Sequence, residues 1–311
     1  MNEAAVVLTL AAAVGAAVPI ALAALGELLA EKSGVLNLGV EGMMLIGAVA
    51  AFQAGNSTGN LWVALIVGSL AGAALSVVHA FLSVTLRANQ IVSGLALVIF
   101  GTGLSTFVGK SIEGLPLATD FTDIAWGPLA DIPLIGPVLF NQDPMVYTTI
   151  VIAGAIGFYL KRTKTGLALR SVGESPATAD SMGVAVAAYR YVHVMLGGLL
   201  AGMGGAYLVL GQVPSWSQAG TTAGIGWIAL ALVVFASWNP MRVVLGAFLF
   251  GFARRANFWL QGEGVNIPAE FLSMLPYLMT IIVLVVWGTR DLRNRMGAPA
   301  SLGVAYVRDE R

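Results

Sequence analysis

Long apolar blocks dominate the chain, and polar residues are confined to the stretches between them. Most of the blocks reach the ~20 residues that cross about 30 Å of hydrocarbon as a helix. They cover residues 4–25, 61–86, 91–108, 145–160, 189–210, 224–238, 243–260 and 271–287. The blocks lack the alternation of barrel strands, and backbone amides in lipid must pair within their own segment. Each block therefore predicts a transmembrane helix.

A weaker block at residues 36–53 carries Asn37 and Glu41 in its first turns. With this block included, length and hydropathy predict about nine crossings, with eight to ten as the range. The expected fold class is all-α: a polytopic transmembrane helical bundle in which residues 1–311 form a single domain.

Basic residues predict the orientation of the bundle. One cluster follows the block 145–160 and another follows the last block, and short basic loops stay in the cytoplasm. These residues are Lys161, Arg162, Lys164 and Arg170, then Arg290, Arg293 and Arg295. Threading from both clusters predicts an external N-terminus and a cytoplasmic C-terminus. It also places the acidic, proline-containing segment 111–144 outside, as an extended or turned loop.

The segment 161–188 is expected on the cytoplasmic side. Within it, Ser175 precedes Pro176, and Gly183 follows a run of good helix formers. A serine cap, a proline in the first turn and a glycine past the end are typical of a short surface helix. A plain connector between spans seldom needs ~28 residues.

Composition excludes several classes of protein. The chain is 58% hydrophobic and 10% charged, with no net charge and no cysteine, which argues against a soluble fold, disulfides and thiolate catalysis. We expect no catalytic residues and no metal site, and the two histidines, His79 and His193, are expected to be hydrogen-bonded between helices. A P-loop needs four residues between its glycines, whereas Gly103 and Gly109 enclose five, so ATP must be hydrolysed by another chain.

Glycine pairs four residues apart lie inside two of the blocks. Gly68 and Gly72 form one pair, and Gly198 and Gly202 form the other. Such spacing lets helix backbones approach closely, so it predicts a tightly packed bundle.

Polar side chains at membrane depth are costly and therefore informative. Asn37 and Glu41 share a helix face, and they line a solute path or pin the span by tertiary hydrogen bonds. Asn89, Gln90 and Ser93 line a cavity or cap a helix.

Arg254 and Arg255 lie deep in their block by linear count. They reach the outer interface, or they face an aqueous vestibule or a partner subunit.

Four ordered motifs resemble a known family. They are the run 26–48 (GELLAEKSGVLNLGVEGMMLIGA), 89–96 (NQIVSGLA), 224–231 (GIGWIALA) with 238–240 (WNP), and 267–277 (IPAEFLSMLPY). The chain resembles permeases of ABC importers of the branched-chain amino acid and ribose type, especially the nucleoside and simple-sugar branch.

This resemblance implies a permease that works by alternating access. Its partners would be a second permease, two cytoplasmic ATPases that bind ATP and Mg, and an external solute-binding lipoprotein, in a bacterial inner membrane. The chain itself would hold no cofactor, bind membrane lipid and no nucleic acid. The short chain suggests the smaller partner of a heterodimer.

The resemblance also suggests roles for particular residues. The substrate pathway would contain Asn37, Glu41, Asn89, Gln90, Ser93 and Trp227. Within the coupling segment 161–188, which docks into the ATPase, the residues are Gly173, Glu174, Pro176, Ala179 and Gly183.

Two other classes of protein compete with this interpretation. An ion-coupled secondary transporter would need paired intramembrane carboxylates or interrupted helices, for which Glu41 alone is thin support. An intramembrane enzyme would need converging catalytic groups, and two isolated histidines offer little.

Overall fold

The computed structural model describes residues 3–217, 221–262 and 297–308, together with Phe271, Met274, Leu278, Ile281, Ile282 and Val285. The described residues form ten α-helices. They are α1 (Glu3–Lys32), α2 (Val40–Thr58), α3 (Leu61–Ala80), α4 (Gln90–Gly109), α5 (Pro144–Arg162), α6 (Lys164–Glu174), α7 (Pro176–Ser181), α8 (Val186–Tyr207), α9 (Ile225–Phe235) and α10 (Pro240–Gly262). Wider π-helical turns, Phe81–Thr85 and Leu208–Gln212, extend α3 and α8.

Five helical segments in the described part are long and apolar enough to cross a membrane. They are Ala5–Lys32, Leu61–Thr85, Gln90–Gly109, Pro144–Arg162 and Val186–Gln212. This confirms a polytopic helical membrane protein. The total of about nine spans and the orientation of the termini stay predictions, because most of the block 271–287, along with Arg290, Arg293 and Arg295, lies outside the described residues.

Glycines bring α2, α3 and α8 into backbone contact at the centre of the bundle. A Cβ added to Gly202 would lie 2.6 Å from the carbonyl oxygen of Gly68 and 2.9 Å from the Cα of Gly72. A Cβ on Gly47 of α2 would lie 2.6 Å from the Cα of Gly202. The predicted close packing is confirmed, and the two glycine pairs pack against each other.

The segment 111–144 forms a loop with little helix, as its prolines predict. Two short strands, β1 (Ile124–Ala125) and β2 (Asn141–Gln142), pair antiparallel within it. The loop also bonds to the chain that follows α8: the Leu117 amide donates to Pro214 O at 2.8 Å, and the Phe121 amide donates to Leu210 O at 3.0 Å. It thereby covers one end of the bundle.

Helices α6 and α7 lie at the opposite end of α5 from that loop. The 19 residues of α5 separate the two regions by about 28 Å at helical rise. The Ser-Pro pattern predicts a short helix in this region, and α7 confirms it: Ser175 caps α7 with Pro176 in its first turn, and Gly183 follows at φ +83°. Residues 297–308 pack on α6 and α7, which the sequence did not indicate.

Candidate functional site

The loop between α1 and α2, residues 33–39, is the centre of a buried polar region. The first three of its residues are buried, and Asn37 is completely inaccessible. Buried backbone groups need hydrogen-bond partners. Side chains from α1, α3 and α4 supply those partners, so this loop joins three helices at one end of the bundle.

Asn37 fixes the turn from this loop into α2. Its side-chain Oδ1 accepts a hydrogen bond from the backbone N–H of Gly39 at 3.0 Å, and its backbone N–H donates to Glu27 Oε1 at 2.9 Å. Its Nδ2 lies 3.4 Å from the sulfur of Met43. Asn37 therefore connects α1 to the first turn of α2.

Gln90 and Ser93 of α4 reach the same loop. Gln90 Oε1 accepts the Leu36 amide at 2.8 Å. Ser93 Oγ lies 3.0 Å from His79 Nδ1, and His79 Nε2 lies 3.1 Å from the Leu36 carbonyl oxygen. The prediction that His79 joins helices through hydrogen bonds is confirmed. His193 also behaves as predicted, because its Nε2 lies 2.8 Å from the hydroxyl of Tyr159.

Glu41 ties α2 to the start of α9. Its Oε1 accepts from Thr222 Oγ1 at 2.5 Å and from the Gly224 amide at 3.1 Å, and its Oε2 accepts the Gly226 amide at 2.6 Å. A helix N-terminus carries unsatisfied N–H groups and a partial positive charge, so a carboxylate is well placed there. Gly224 opens α9 at φ +81°, where a side chain would be strained.

Asn89 and Trp227 occupy the exposed edges of this region. Asn89 caps α4, with Oδ1 accepting the amides of Ile91 and Val92 at 3.0 and 3.1 Å. Trp227 lies in the first turn of α9 and is 38% exposed. The structure thus gathers Asn37, Gln90 and Ser93 around one loop. Glu41 of α2 contacts the nearby start of α9, where Trp227 lies.

Two further acids belong to this region and were not among the predicted pathway residues. Glu27 and Glu31 lie one turn apart on α1 and are 1% and 2% exposed. Glu31 Oε2 accepts the indole N–H of Trp238 at 2.5 Å. Their spacing of four residues, just past the apolar block 4–25, is the signal that marks them in the sequence.

Helix α6 contacts the end of α1 without an intervening side chain. A Cβ on Gly173 would collide with the carbonyl group of Lys32. The Gly173 carbonyl oxygen accepts from the amide and the hydroxyl of Ser301, at 2.9 and 2.6 Å, and the Gly303 amide donates to Gly34 O at 3.2 Å. Residues 297–308 therefore join α6 to the loop 33–39.

The other predicted coupling residues surround this contact. Glu174 Oε2 accepts the Ala300 amide at 3.4 Å, and Pro176 opens α7. Ala179 is 2% exposed in an apolar cluster with Val172 and Val186. Gly183 lies two residues past the end of α7, at φ +83°.

At the other end of the bundle, Arg255 lines a cavity of about 320 Å³ with Asp123, Asp143 and Tyr207. Partial burial, and secondly the nearby charge of Asp143, raise the pKa of Asp123. Arg255 thus shares a cavity with acidic groups of the loop 111–144, and the alternatives considered for Arg254 and Arg255 from the sequence stay open.

The family model described as branched-chain amino acid transport system / permease component matches residues 9–284. The chain belongs to this permease family. The motif at 267–277, apart from Phe271 and Met274, lies outside the described residues, but its span is inside the match.

Several curated relatives match along almost the whole chain. The putative glucose ABC transporter permease protein TsgC13 of Haloferax volcanii is 41% identical, over 96% of this chain and 97% of the relative. The guanosine ABC transporter permease protein NupQ of Bacillus subtilis is 35% identical, over 95% of each chain. The nucleoside ABC transporter permease protein NupC of Lactococcus lactis is 35% identical, over 94% of each.

A second Bacillus permease, the guanosine ABC transporter permease protein NupP, is also similar at 22% identity over 90% of this chain. No solved structure matches the chain.

Proposed function

We propose that this chain is one of two permease subunits of an ATP-binding cassette importer that carries a nucleoside or a simple sugar. Relatives of nearly equal length are named as guanosine, nucleoside and glucose permeases, which supports this solute class. NupQ and NupP are both named as guanosine permeases of one bacterium, which supports a heterodimer.

The contact of α6 with the end of α1, and its link to the loop 33–39 through residues 297–308, carry the mechanistic part of this proposal. Gly173 lies against Lys32, and residues 297–308 bond to both α6 and Gly34. The same loop bonds to Gln90 and His79 and leads into α2. Displacement of a rigid helix is transmitted through such contiguous packing. An ATPase that moves α6 and α7 would thereby move the starts of α2 and α4.

In this proposal α7 docks into a cytoplasmic ATPase subunit that binds ATP and Mg, through a segment that includes Glu174, Pro176, Ala179 and Gly183. The loop 111–144 faces outward and receives the solute-binding lipoprotein. The protein would lie in a bacterial inner membrane, with its N-terminus outside and its C-terminus in the cytoplasm.

The substrate pathway would use the polar groups near the starts of α2, α4 and α9. Trp227 offers a partly exposed aromatic surface for a base or a sugar face. Gln90 Nε2 is buried without a hydrogen-bond partner among the described residues, so it is available when the bundle rearranges. Asn37, Glu41, Asn89 and Ser93 would position these two groups.

The test is uptake of labelled guanosine or glucose into proteoliposomes that contain the complete transporter. Transport is expected only when ATP is supplied to the complete transporter. Ala179→Trp should abolish it, because the larger side chain overfills the apolar cluster beneath α7. Thr165→Trp, on the exposed side of α6, is the matched control and should retain most activity. Uptake by this chain alone under an ion gradient would instead establish the secondary transporter.

A further inference from the structure

A cavity of about 280 Å³ lies beside α7, at the end of the bundle that carries α6. Its lining includes the start of α8, and Val84 and Arg87 at the end of the α3 segment and just past it. Asp180 of α7, Tyr306 and Arg308 complete the lining. The substrate pathway proposed above does not include this cavity.

The lining of the cavity is strongly basic. Three guanidinium groups, those of Arg87, Arg190 and Arg308, face a single carboxylate, that of Asp180. Asp180 already accepts from Arg308 Nε at 3.2 Å and from the Tyr306 hydroxyl at 3.0 Å. The lining therefore carries a formal excess of two positive charges, three guanidinium groups against one carboxylate.

Arg190 is the most informative of the three arginines. Its side chain is fully buried, with 1% of the residue exposed, and Nη1 donates to Val304 O at 3.1 Å. Its Nε and Nη2 have no hydrogen-bond partner in the described part of the chain. A buried charge without a counterion is costly, so this guanidinium needs an anion nearby.

The N-terminus of α8 also favours an anion in this cavity. Ala185, its N-cap residue, offers no side-chain acceptor, and Ala185, Val186 and Ala187 all line the cavity. The first N–H groups of a helix attract anions through their unsatisfied donors and the helix dipole. Helix and arginines thus favour the same kind of ligand.

We propose that this cavity binds the phosphate of an anionic lipid headgroup. Two candidate spans meet here, since Leu61–Thr85 ends and Val186–Gln212 begins at the cavity. The adjacent Leu86 is 57% exposed, which provides an apolar surface for an acyl chain. The volume lies just below the ~300–1,000 Å³ of drug-sized ligand sites, so it suits a small headgroup. Basic pockets between membrane helices are known to bind such headgroups.

The experiment measures lipid binding to the full-length chain in nanodiscs of phosphatidylcholine, with and without phosphatidylglycerol. Native mass spectrometry counts retained phosphatidylglycerol, and a titration gives its affinity. Each arginine near an anionic headgroup contributes roughly fivefold in affinity, so Arg87→Gln with Arg308→Gln should weaken binding about 25-fold. Both side chains are exposed enough for the double variant to fold.

Arg162→Gln, which removes an exposed charge at the end of α5, is the matched control and should bind as the unchanged protein does. Equal affinity in the double variant and the control would overturn the proposal. Binding of inorganic phosphate at millimolar concentration without any retention of phosphatidylglycerol would show an anion site whose occupant is not a lipid. Loss of the lipid when the ATPase subunits assemble would also reject the lipid, because a protein side chain would then fill the site.

Discussion

Two polar segments cover opposite ends of this bundle, and they are attached in different ways. The segment of α6 and α7, residues 164–181, touches α1 through a glycine and is fastened by residues 297–308. The loop 111–144 is fastened mainly by backbone hydrogen bonds to residues 210–216 and by Asp143. The first attachment is a direct backbone contact between helices, whereas the second consists mainly of hydrogen bonds that hold a loop in place.

The largest effect on stability is expected at Gly173, in the contact between α6 and α1. Gly173→Val would drive a branched side chain into the Lys32 carbonyl group, which is backbone and cannot move aside. Overpacking of this kind costs about 3 kcal/mol at the upper end of its usual range. Thermal unfolding in detergent should report the loss of stability, and ATP-driven uptake should fall with it.

The matched control for Gly173 is Gly154→Val in α5. Nothing lies within 4 Å of a Cβ added to Gly154, and the residue is exposed on the outside of the bundle. This variant should unfold at nearly the temperature of the unchanged protein. If the two valines had equal effects, the contact between α6 and α1 would not be tight, and the contrast between the two ends would be wrong.

The sequence predicted the helices far better than it predicted their partners. The block 61–86 corresponds to α3 with its π turn, and the Ser-Pro pattern located α7. Hydropathy and caps are local signals, so they find helices and ends. The partners of Glu41 are about 180 residues away, and nothing near Glu41 marks them.

Two other features of the site were hidden for different physical reasons. Glu27 and Glu31 lie just past the apolar block 4–25, and their burial only becomes evident once α1 is packed. Residues 297–308 contain two glycines and a proline and have no helical period, so their bonds to α6 depend on tertiary structure alone.

At the other end, Asp143 offers the next largest effect. Its Oδ1 accepts the Met145 amide at 2.7 Å and caps α5, while its Oδ2 accepts from the hydroxyl of Tyr207. Asp143→Asn weakens both bonds and should cost about 1–2 kcal/mol. Chemical unfolding measures the change, with the exposed Asp120→Asn of the same loop as the control. A loss as large as that of Gly173→Val would mean that the loop, too, is held by one critical contact.

The smallest expected effect concerns the pH response of the loop 111–144 at Asp123. Partial burial first, and then the charge of Asp143, raise the pKa of Asp123 above its ordinary value of 3.8. The charged form is therefore disfavoured in the folded protein, so its cost is present at neutral pH and disappears as pH falls toward 3.8. Tyr207 and Arg255 share the cavity with these two acids, and both are retained in the variants Asp123→Asn and Asp131→Asn.

Asp123→Asn removes this titration, so it should be slightly more stable than the unchanged protein at pH 7, and the difference in melting temperature should shrink steadily toward pH 4. Most of the side chain is solvated, so the whole change should be small. Asp131→Asn, an exposed acid of the same loop, provides the baseline for removing one negative charge. If Asp123→Asn were instead less stable than the unchanged protein at pH 7, with a deficit that closed on acidification, Asp123 would be stabilised as an anion by Arg255. The loop would then be held by an ion pair as well as by its backbone.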